Sequence, residues 1–265
     1  MKPSYGAVSR YGLIDLSMSL DQIGVLAKNV DDAMLLFEVI AGKDEKDTMS
    51  QDIKAINIKK TDKVRVGVVK LKGVDPQIQK LVDAHVVELA KKNNWNIKEI
   101  KLEHIDLAVQ TYYPLVYSEF YSATRKFDGR RYGFKIEEKC GKEILRRILG
   151  GSEITKAEHT GEYYRKALEV KEVIAQEFVK AFEEVDCIVM PVTPVLPWKI
   201  GEGNRMSVEE VYASDALTIP ANLAGICSVV VPAGKVEGIP VGMQVMCGQG
   251  EDRKALVIAG KMERS

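Results

Sequence analysis

The sequence predicts an α/β fold in which a mixed β-sheet is flanked by helices. A run of β-branched residues at 64–69 predicts a buried strand, because apolar side chains occur on both of its faces. An amphipathic helix from about Pro76 to Asn93 follows, and residues 95–100 then predict another strand. Strand, helix and strand in this order are typical of a parallel or mixed sheet with helices packed on it.

The element before this unit is a helix. It begins near residues 29–30, because Asp31 and Asp32 place two carboxylates at the positive end of the helix dipole. It ends at Gly42, a residue that favours helix C-termini. The polar run 43–61 that follows predicts a surface crossing.

The second half of the chain continues with helices and strands. In chain order the predicted elements are helices 107–127 and 161–183, strands 186–190, 228–231 and 241–246, and a helix from 252 to the end. Pro191, Pro194 and Pro197 predict an ordered loop after the first of these strands, because proline cannot donate to a strand ladder. With no linker visible, residues 1–265 are predicted to form a single domain.

The composition restricts the class of function. The chain carries 38 basic and 38 acidic residues, so it lacks the basic excess of a stand-alone nucleic-acid binder. We expect a soluble, cytoplasmic protein, because there is no signal peptide and no apolar run of about 18 residues. Cys140, Cys187, Cys227 and Cys247 are widely spaced, which predicts reduced, mostly buried thiols rather than a metal site or a disulfide framework.

Several sequence blocks occur in an order that is typical of one enzyme family. The most informative is Ser-Asp-Ala-Leu-Thr-Ile-Pro-Ala-Asn-Leu-Ala-Gly at 214–225, read together with residues 5–12 and 19–24. Further matching blocks are 2–6, 127–133, 146–148, 163–164, 186–194 and 238–244. On these blocks the chain resembles the amidase signature family and, within it, the branch of the glutamine-dependent aminoacyl-tRNA amidotransferases. The resemblance covers nearly the whole chain.

The resemblance implies an amidase-signature-type mixed sheet that is incomplete. The family's catalytic lysine and its two serines lie in a segment that we expect upstream of Met1. We therefore predict no catalytic residue in this chain, and we expect the isolated chain to be inactive. Gly150-Gly151-Ser152 only mimics a glycine-rich serine loop, and we interpret it as a helix C-terminus with glycine in the left-handed conformation.

The resemblance also implies a function for the complete enzyme. It would be a carbon–nitrogen ligase that hydrolyses glutamine to supply ammonia for amidation of Glu-tRNA(Gln) or Asp-tRNA(Asn). Its implied partners are the amidotransferase subunits B and C, with tRNA bound mainly through them. ATP and magnesium are expected in one of these partners, and no cofactor or metal is expected in this chain. The glycines at 248–250 lack the spacing of a phosphate-binding loop.

Four residues are implied to bind glutamine. By position, Arg147 resembles the arginine that binds the α-carboxylate, and Asp215 resembles the acid that binds the α-ammonium group. Tyr112 or Tyr113 resembles a tyrosine that lines the pocket. The chemistry is consistent, because a zwitterion needs one fixed cation and one fixed anion, and guanidinium binds carboxylate through two parallel hydrogen bonds.

The residues alone leave alternatives open. Arg147 could be an exposed helix arginine or part of an ion pair, Asp215 could cap the turn before Pro220, and the tyrosines could be core residues. The three histidines, His85, His104 and His159, favour surface or capping positions. Two other functions also stay open: a stand-alone amidase of the same family acting on a small amide, and a non-catalytic scaffold module.

Overall fold

A computed structural model describes residues 1–53, 63–127, 129, 133–156, 158 and 161–264. Its strands are β1 (Arg65–Val69), β2 (Asn96–Ile100), β3 (Cys187–Pro191), β4 (Cys227–Val236) and β5 (Ile239–Cys247). They form one sheet in the order β2-β1-β3-β5-β4. β1 pairs in parallel with β2 and β3, whereas β5 pairs antiparallel with β3 and β4. The predicted α/β fold with a mixed sheet is confirmed.

The helices of the described residues flank this sheet. They are α1 (Val30–Ile40), α2 (Pro76–Asn93), α3 (Ala108–Thr124), α4 (Ile136–Lys139), α5 (Lys142–Ile154), α6 (Glu162–Glu184), α7 (Val208–Ala213), α8 (Ile219–Leu223) and α9 (Asp252–Glu263). The predicted helix 107–127 is α3 with a short 3₁₀ turn at each end. The start of α1 is fixed as predicted near residue 29, where the Asn29 side chain accepts a hydrogen bond from the Asp32 amide.

The central strand β3 shows why the sheet is buried on both faces. All five residues of β3 are buried, and successive side chains contribute to opposite sides. Val189 belongs to a first core layer, whereas Ile188 and Met190 belong to a second core layer. The strand continues through Pro191, which pairs with Met243, so the prediction that this proline ends the strand before itself is wrong by one residue.

The two core layers contain different helices. The first core layer includes Phe37 of α1, Val82 of α2 and Leu256 of α9. The second core layer includes Leu115 of α3 and Phe178 of α6, together with residues of α8. All of these side chains are buried, and burial of large apolar groups is the main stabilising term in a domain of this size.

Some predictions fall on residues that the structure does not describe. Residues 54–61 of the predicted surface crossing, residues 128 and 130–132 of one family block, and His159 lie outside the described residues. Three of the four cysteines are buried, which agrees with the prediction of mostly buried thiols. Within the described ranges, no helix combines the length and the apolar character that a membrane crossing needs.

Candidate functional site

The implied glutamine-binding residues come from three separate segments. Tyr112 and Tyr113 lie on α3, Arg147 lies on α5, and Asp215 lies in the turn between α7 and α8. Helix α5 packs along α3, and α8 also contacts α3. The fold therefore brings residues from distant parts of the chain together around α3, whose Tyr113 belongs to the second core layer.

Asp215 uses its backbone and its side chain for different purposes. Its carbonyl oxygen accepts hydrogen bonds from the amides of Thr218 and Ile219, at 3.0 and 3.1 Å, and so begins the turn into α8. Its carboxylate does not cap α8, which has no side-chain cap. Instead, the Tyr113 hydroxyl donates to Asp215 Oδ2 at 3.3 Å. The capping alternative therefore does not account for the carboxylate.

The environment of the Asp215 carboxylate disfavours its charge. Burial raises the pKa of Asp215, and the Tyr113 hydrogen bond and the nearby Arg147 charge only partly oppose this shift. Asp215 is exposed, so its carboxylate is accessible to a ligand, and among the described residues no cationic group is hydrogen-bonded to it. Such a carboxylate is a suitable acceptor for a ligand's ammonium group.

The structure separates the two candidate tyrosines. Tyr112 lines a cavity of about 370 Å³ together with Asp215, Lys2, Asp21 and other residues. Tyr113 is only 8% exposed, and it does not line this cavity. Its hydroxyl donates a hydrogen bond to the Asp215 carboxylate. Tyr112 is thus the tyrosine at the cavity wall, and Tyr113 belongs to the core packing that the sequence left open.

Arg147 is largely covered by protein. Its side chain is 20% exposed, and its Nε donates to Glu143 Oε1 at 3.0 Å. Burial opposes the charged guanidinium, but the Glu143 hydrogen bond and charge outweigh it and raise the pKa of Arg147. The helix ion pair that the sequence allowed is therefore present. This ion pair occupies only one edge of the guanidinium. The Arg147 charge also acts on Tyr112, where it partly offsets the rise in the Tyr112 pKa that burial causes.

Glu143 and Tyr212, which the sequence did not single out, link the residues of this site through hydrogen bonds. The Tyr212 hydroxyl donates to Glu143 Oε1 at 2.9 Å and lies 2.7 Å from the Tyr117 hydroxyl. The Tyr212 ring stacks on Tyr113, with centroids 3.6 Å apart and planes 9° apart. The spacing of Glu143 and Arg147, four residues apart on a helix, predicts their pairing. Nothing in the local sequence marks Tyr212.

The interpretation of Gly150-Gly151-Ser152 as a helix C-terminus is wrong. All three residues lie inside α5, and neither glycine has a left-handed backbone. A Cβ on Gly151 would lie 2.0 Å from the Tyr117 carbonyl oxygen, and one on Gly150 would lie 2.6 Å from the Tyr117 ring. These glycines are needed for the close approach of α5 to α3, because no larger residue fits at the contact.

The cavity is also lined by a partly buried lysine. Lys2 Nζ donates to Pro3 O at 3.0 Å, to Gln22 Oε1 at 2.6 Å and to Ile226 O. Burial lowers the pKa of Lys2 to about 8. Three acceptors satisfy its three N–H groups, so Lys2 fixes the cavity floor. The acceptors of Lys2 are thus two carbonyl oxygens and an amide oxygen, and the nearby Lys171 donates to the Ser19 carbonyl oxygen.

Neither described histidine lines this cavity, whereas Ser17 does. His104 Nδ1 is 2.6 Å from Glu177 Oε1 on α6, and its side chain is 45% exposed, as expected for a surface histidine. His85 lies half-buried on α2. Ser17 and Ser19 donate their hydroxyls to Glu119 at 2.8 and 2.6 Å. Among the described residues, no group of three His, Cys, Asp or Glu side chains is arranged to hold a metal ion.

Comparison with known proteins agrees with the sequence blocks. A family model described as Amidase matches residues 1–256. The chain is 46% identical over 257 residues to the A subunit of glutamyl-tRNA(Gln) amidotransferase from Methanocaldococcus jannaschii, covering 96% of this chain and 58% of that protein. It is 45% identical over 266 residues to the protein of the same name from Methanococcus maripaludis, covering 100% of this chain and 61% of that protein.

A solved structure gives the same result. The crystal structure of the A subunit of glutamyl-tRNA(Gln) amidotransferase from Thermotoga maritima matches with a TM-score of 0.81 at 32% identity, over 100% of this chain and 57% of that chain. The chain thus spans about three fifths of the length of the relatives it matches. Because the family model covers nearly every residue, the predicted family is confirmed. The chain belongs to the amidase signature family.

Proposed function

We propose that this chain forms the amino-acid-binding wall of an amidotransferase A subunit that hydrolyses glutamine. The observation that carries the proposal is that Asp215 and Tyr112 line a cavity of about 370 Å³, while Arg147, which is outside this lining, is close enough to act electrostatically on both residues. This volume lies within the range of about 300–1,000 Å³ that small-molecule sites occupy. The two charges match the two ends of a zwitterionic amino acid.

Arg147 is suited to bind the α-carboxylate. Its Nε is held by Glu143, and among the described residues no acceptor is bonded to its two Nη atoms. The free pair of Nη groups can donate two parallel hydrogen bonds to a carboxylate. Asp215 is suited to bind the α-ammonium group because its exposed carboxylate lacks a direct cationic partner among the described residues. Tyr112 would line the pocket between them.

The relatives support a proposal for the wider reaction, because the three named above are A subunits of glutamyl-tRNA(Gln) amidotransferase. In our proposal, the ammonia released from glutamine amidates Glu-tRNA(Gln) or Asp-tRNA(Asn). Subunits B and C are the partners, ATP and magnesium act in one of these partners, and the enzyme works in the cytoplasm. The isolated chain is proposed to lack glutaminase activity, because Lys2, the lysine at the cavity, donates to Pro3 O, Gln22 Oε1 and Ile226 O and to no serine hydroxyl.

Ligand-detected NMR on the purified chain tests the binding part of this proposal. We expect saturation transfer to L-glutamine and none to butanamide, which has the amide but neither charged group. Equal transfer to both would favour a pocket for simple amides. An ammonia-release assay tests the second part, and glutamine turnover by the isolated chain above the buffer rate would contradict it.

A further inference from the structure

Resting on the proposed function, we infer that Tyr212 and Glu143 are positioning residues that orient the Arg147 guanidinium toward the carboxylate of the bound amino acid. Glu143 lies one helical turn before Arg147 on α5, and it accepts a hydrogen bond from Nε at 3.0 Å. Because guanidinium is planar, fixing Nε also fixes the direction in which the two Nη groups point.

Glu143 is itself held from outside its helix. The Tyr212 hydroxyl donates to Glu143 Oε1 at 2.9 Å. An ionised carboxylate only accepts hydrogen bonds, so the single hydroxyl hydrogen of Tyr212 is used in this contact. Tyr117, 2.7 Å away, must then be the donor toward Tyr212. The bonds therefore run in one direction, from Tyr117 through Tyr212 to Glu143.

Tyr212 also contacts the other end of the proposed ligand site. Its ring stacks on Tyr113 at 3.6 Å, and Tyr113 donates to the Asp215 carboxylate. Tyr212 is therefore linked to Arg147 through its hydroxyl and to Asp215 through its ring. It lies on α7, which Ser207 starts with a capping box closed by Glu210. One side chain thus sets the relative placement of the cation and the anion.

The ordinary alternative is a helix-surface ion pair between Glu143 and Arg147 that stabilises α5 and does nothing for a ligand. The positioning role and this structural role predict different effects on ligand selectivity. A positioning role acts through the carboxylate contact alone, whereas a structural role affects every ligand of the pocket. L-Glutamine and 4-aminobutanamide separate them, because the second ligand keeps the amide and the ammonium group but lacks the carboxylate.

The test measures the affinity of the full chain for both ligands in the Tyr212→Phe variant, which keeps the stacked ring and loses the hydroxyl. We expect glutamine binding to weaken by about three- to tenfold, because the hydrogen bond that holds Glu143 is lost. The bond from Tyr117 is lost as well, but it does not touch Glu143 or Arg147. 4-Aminobutanamide binding is expected to change by less than about twofold. In an Arg147→Ala background, Tyr212→Phe is expected to have no further effect on glutamine.

Tyr164→Phe is the matched control. It removes a tyrosine–glutamate hydrogen bond of the same 2.9 Å length, from the Tyr164 hydroxyl to Glu119 Oε1, outside this network. The preference for glutamine over 4-aminobutanamide is expected to stay at the wild-type value. If Tyr212→Phe does not fold, Glu143→Gln supplies the same test, because it removes the charge on the acceptor and keeps its size.

The outcomes distinguish this inference from the proposed function. If the wild-type chain binds both ligands equally, the proposed carboxylate contact of Arg147 is wrong. If the wild type prefers glutamine and Arg147→Ala abolishes the preference, but Tyr212→Phe or Glu143→Gln leaves it intact, only the positioning inference is overturned. Equal weakening of both ligands by Tyr212→Phe would also overturn it.

Discussion

The two faces of the sheet are built from different kinds of contact. The first core layer, with α1, α2 and α9, is closed mainly by aliphatic side chains and Phe37. The second core layer also has a packed apolar base, but its outer part is a polar network of tyrosines, Glu143, Arg147 and Asp215. Apolar contacts are non-directional, whereas each bond of the network requires a particular geometry.

This difference predicts how each face responds to substitution. A lost apolar group in the first core layer should lower stability and leave the site geometry unchanged, since the sheet separates the two layers. A small change in the second core layer should alter ligand binding even where stability changes little, because its hydrogen bonds link both charged groups.

The largest expected effect is on the stability of the first core layer. Phe37 is 0% exposed, so Phe37→Ala should lower the free energy of unfolding by about 3–5 kcal/mol through lost burial and a new cavity. Urea unfolding measures this change. Leu35→Ala on the same helix is the control, because Leu35 is 69% exposed and should cost less than about 0.5 kcal/mol. A weakened glutamine affinity of the folded Phe37→Ala protein would break the comparison.

Gly151→Ala should affect both stability and binding. The added Cβ would lie 2.0 Å from the Tyr117 carbonyl oxygen, so α5 must move away from α3 at a cost of about 1–3 kcal/mol. Glutamine binding should weaken as well, because α5 carries Arg147. Chemical denaturation and ligand titration measure the two effects.

Gly141→Ala is the control for that substitution. Apart from its chain neighbours, no atom of the described residues lies within 4 Å of a Cβ at Gly141, which precedes the same helix. We expect little change in stability and none in glutamine affinity. Since alanine is the better helix former in an uncrowded helix interior, an unchanged or raised stability for Gly151→Ala would contradict the close α3–α5 contact.

The pH dependence of glutamine binding reports on Asp215. Burial raises the pKa of this carboxyl, and its protonated form cannot balance an ammonium charge. Affinity should therefore be full well above that pKa and fall as the pH decreases through it, starting above the ordinary aspartate value of about 3.9. Titrations between about pH 4 and pH 7 measure the decline. Asp215→Asn should bind weakly without this pH dependence, and parallel profiles would refute the assignment.

The smallest expected effect lies outside the network. The Glu177 hydrogen bond raises the pKa of His104, so the protonated histidine favours the folded state. This contribution is fully present below the ordinary histidine pKa of about 6.5 and is lost as the pH rises through the raised value. Melting temperatures measured across this window should decline in the wild type and stay flatter in His104→Gln. Glutamine affinity should be the same in both proteins.

The sequence was sufficient for the elements of the fold. Runs such as 64–69 predicted strands because β-branched residues suit a sheet, and the amphipathic pattern of Pro76–Asn93 predicted α2. The role of Gly150 and Gly151 was mistaken, because glycine at a helix end and glycine at a helix–helix contact have the same local sequence. Only the packing of α5 on α3 separates them.

The site was predictable only in part. Arg147 and Asp215 were identified through family blocks, because neither has a local pattern that distinguishes a binding residue from an ordinary surface charge. Glu143 and Tyr212 are 69 residues apart, and their contact depends on how α7 packs against α5. Likewise, only the fold shows that Tyr112 lines the cavity and that Tyr113 donates a hydrogen bond to Asp215.

A crossed ligand panel tests the central claim most directly. L-Glutamine, 4-aminobutanamide without the carboxylate, and 4-carbamoylbutanoate without the ammonium group are titrated into wild type, Arg147→Ala and Asp215→Asn. We predict that Arg147→Ala weakens glutamine and 4-carbamoylbutanoate by about tenfold to a hundredfold and spares 4-aminobutanamide. Asp215→Asn should weaken glutamine and 4-aminobutanamide and spare 4-carbamoylbutanoate. Two variants that affect all three ligands alike would contradict the account.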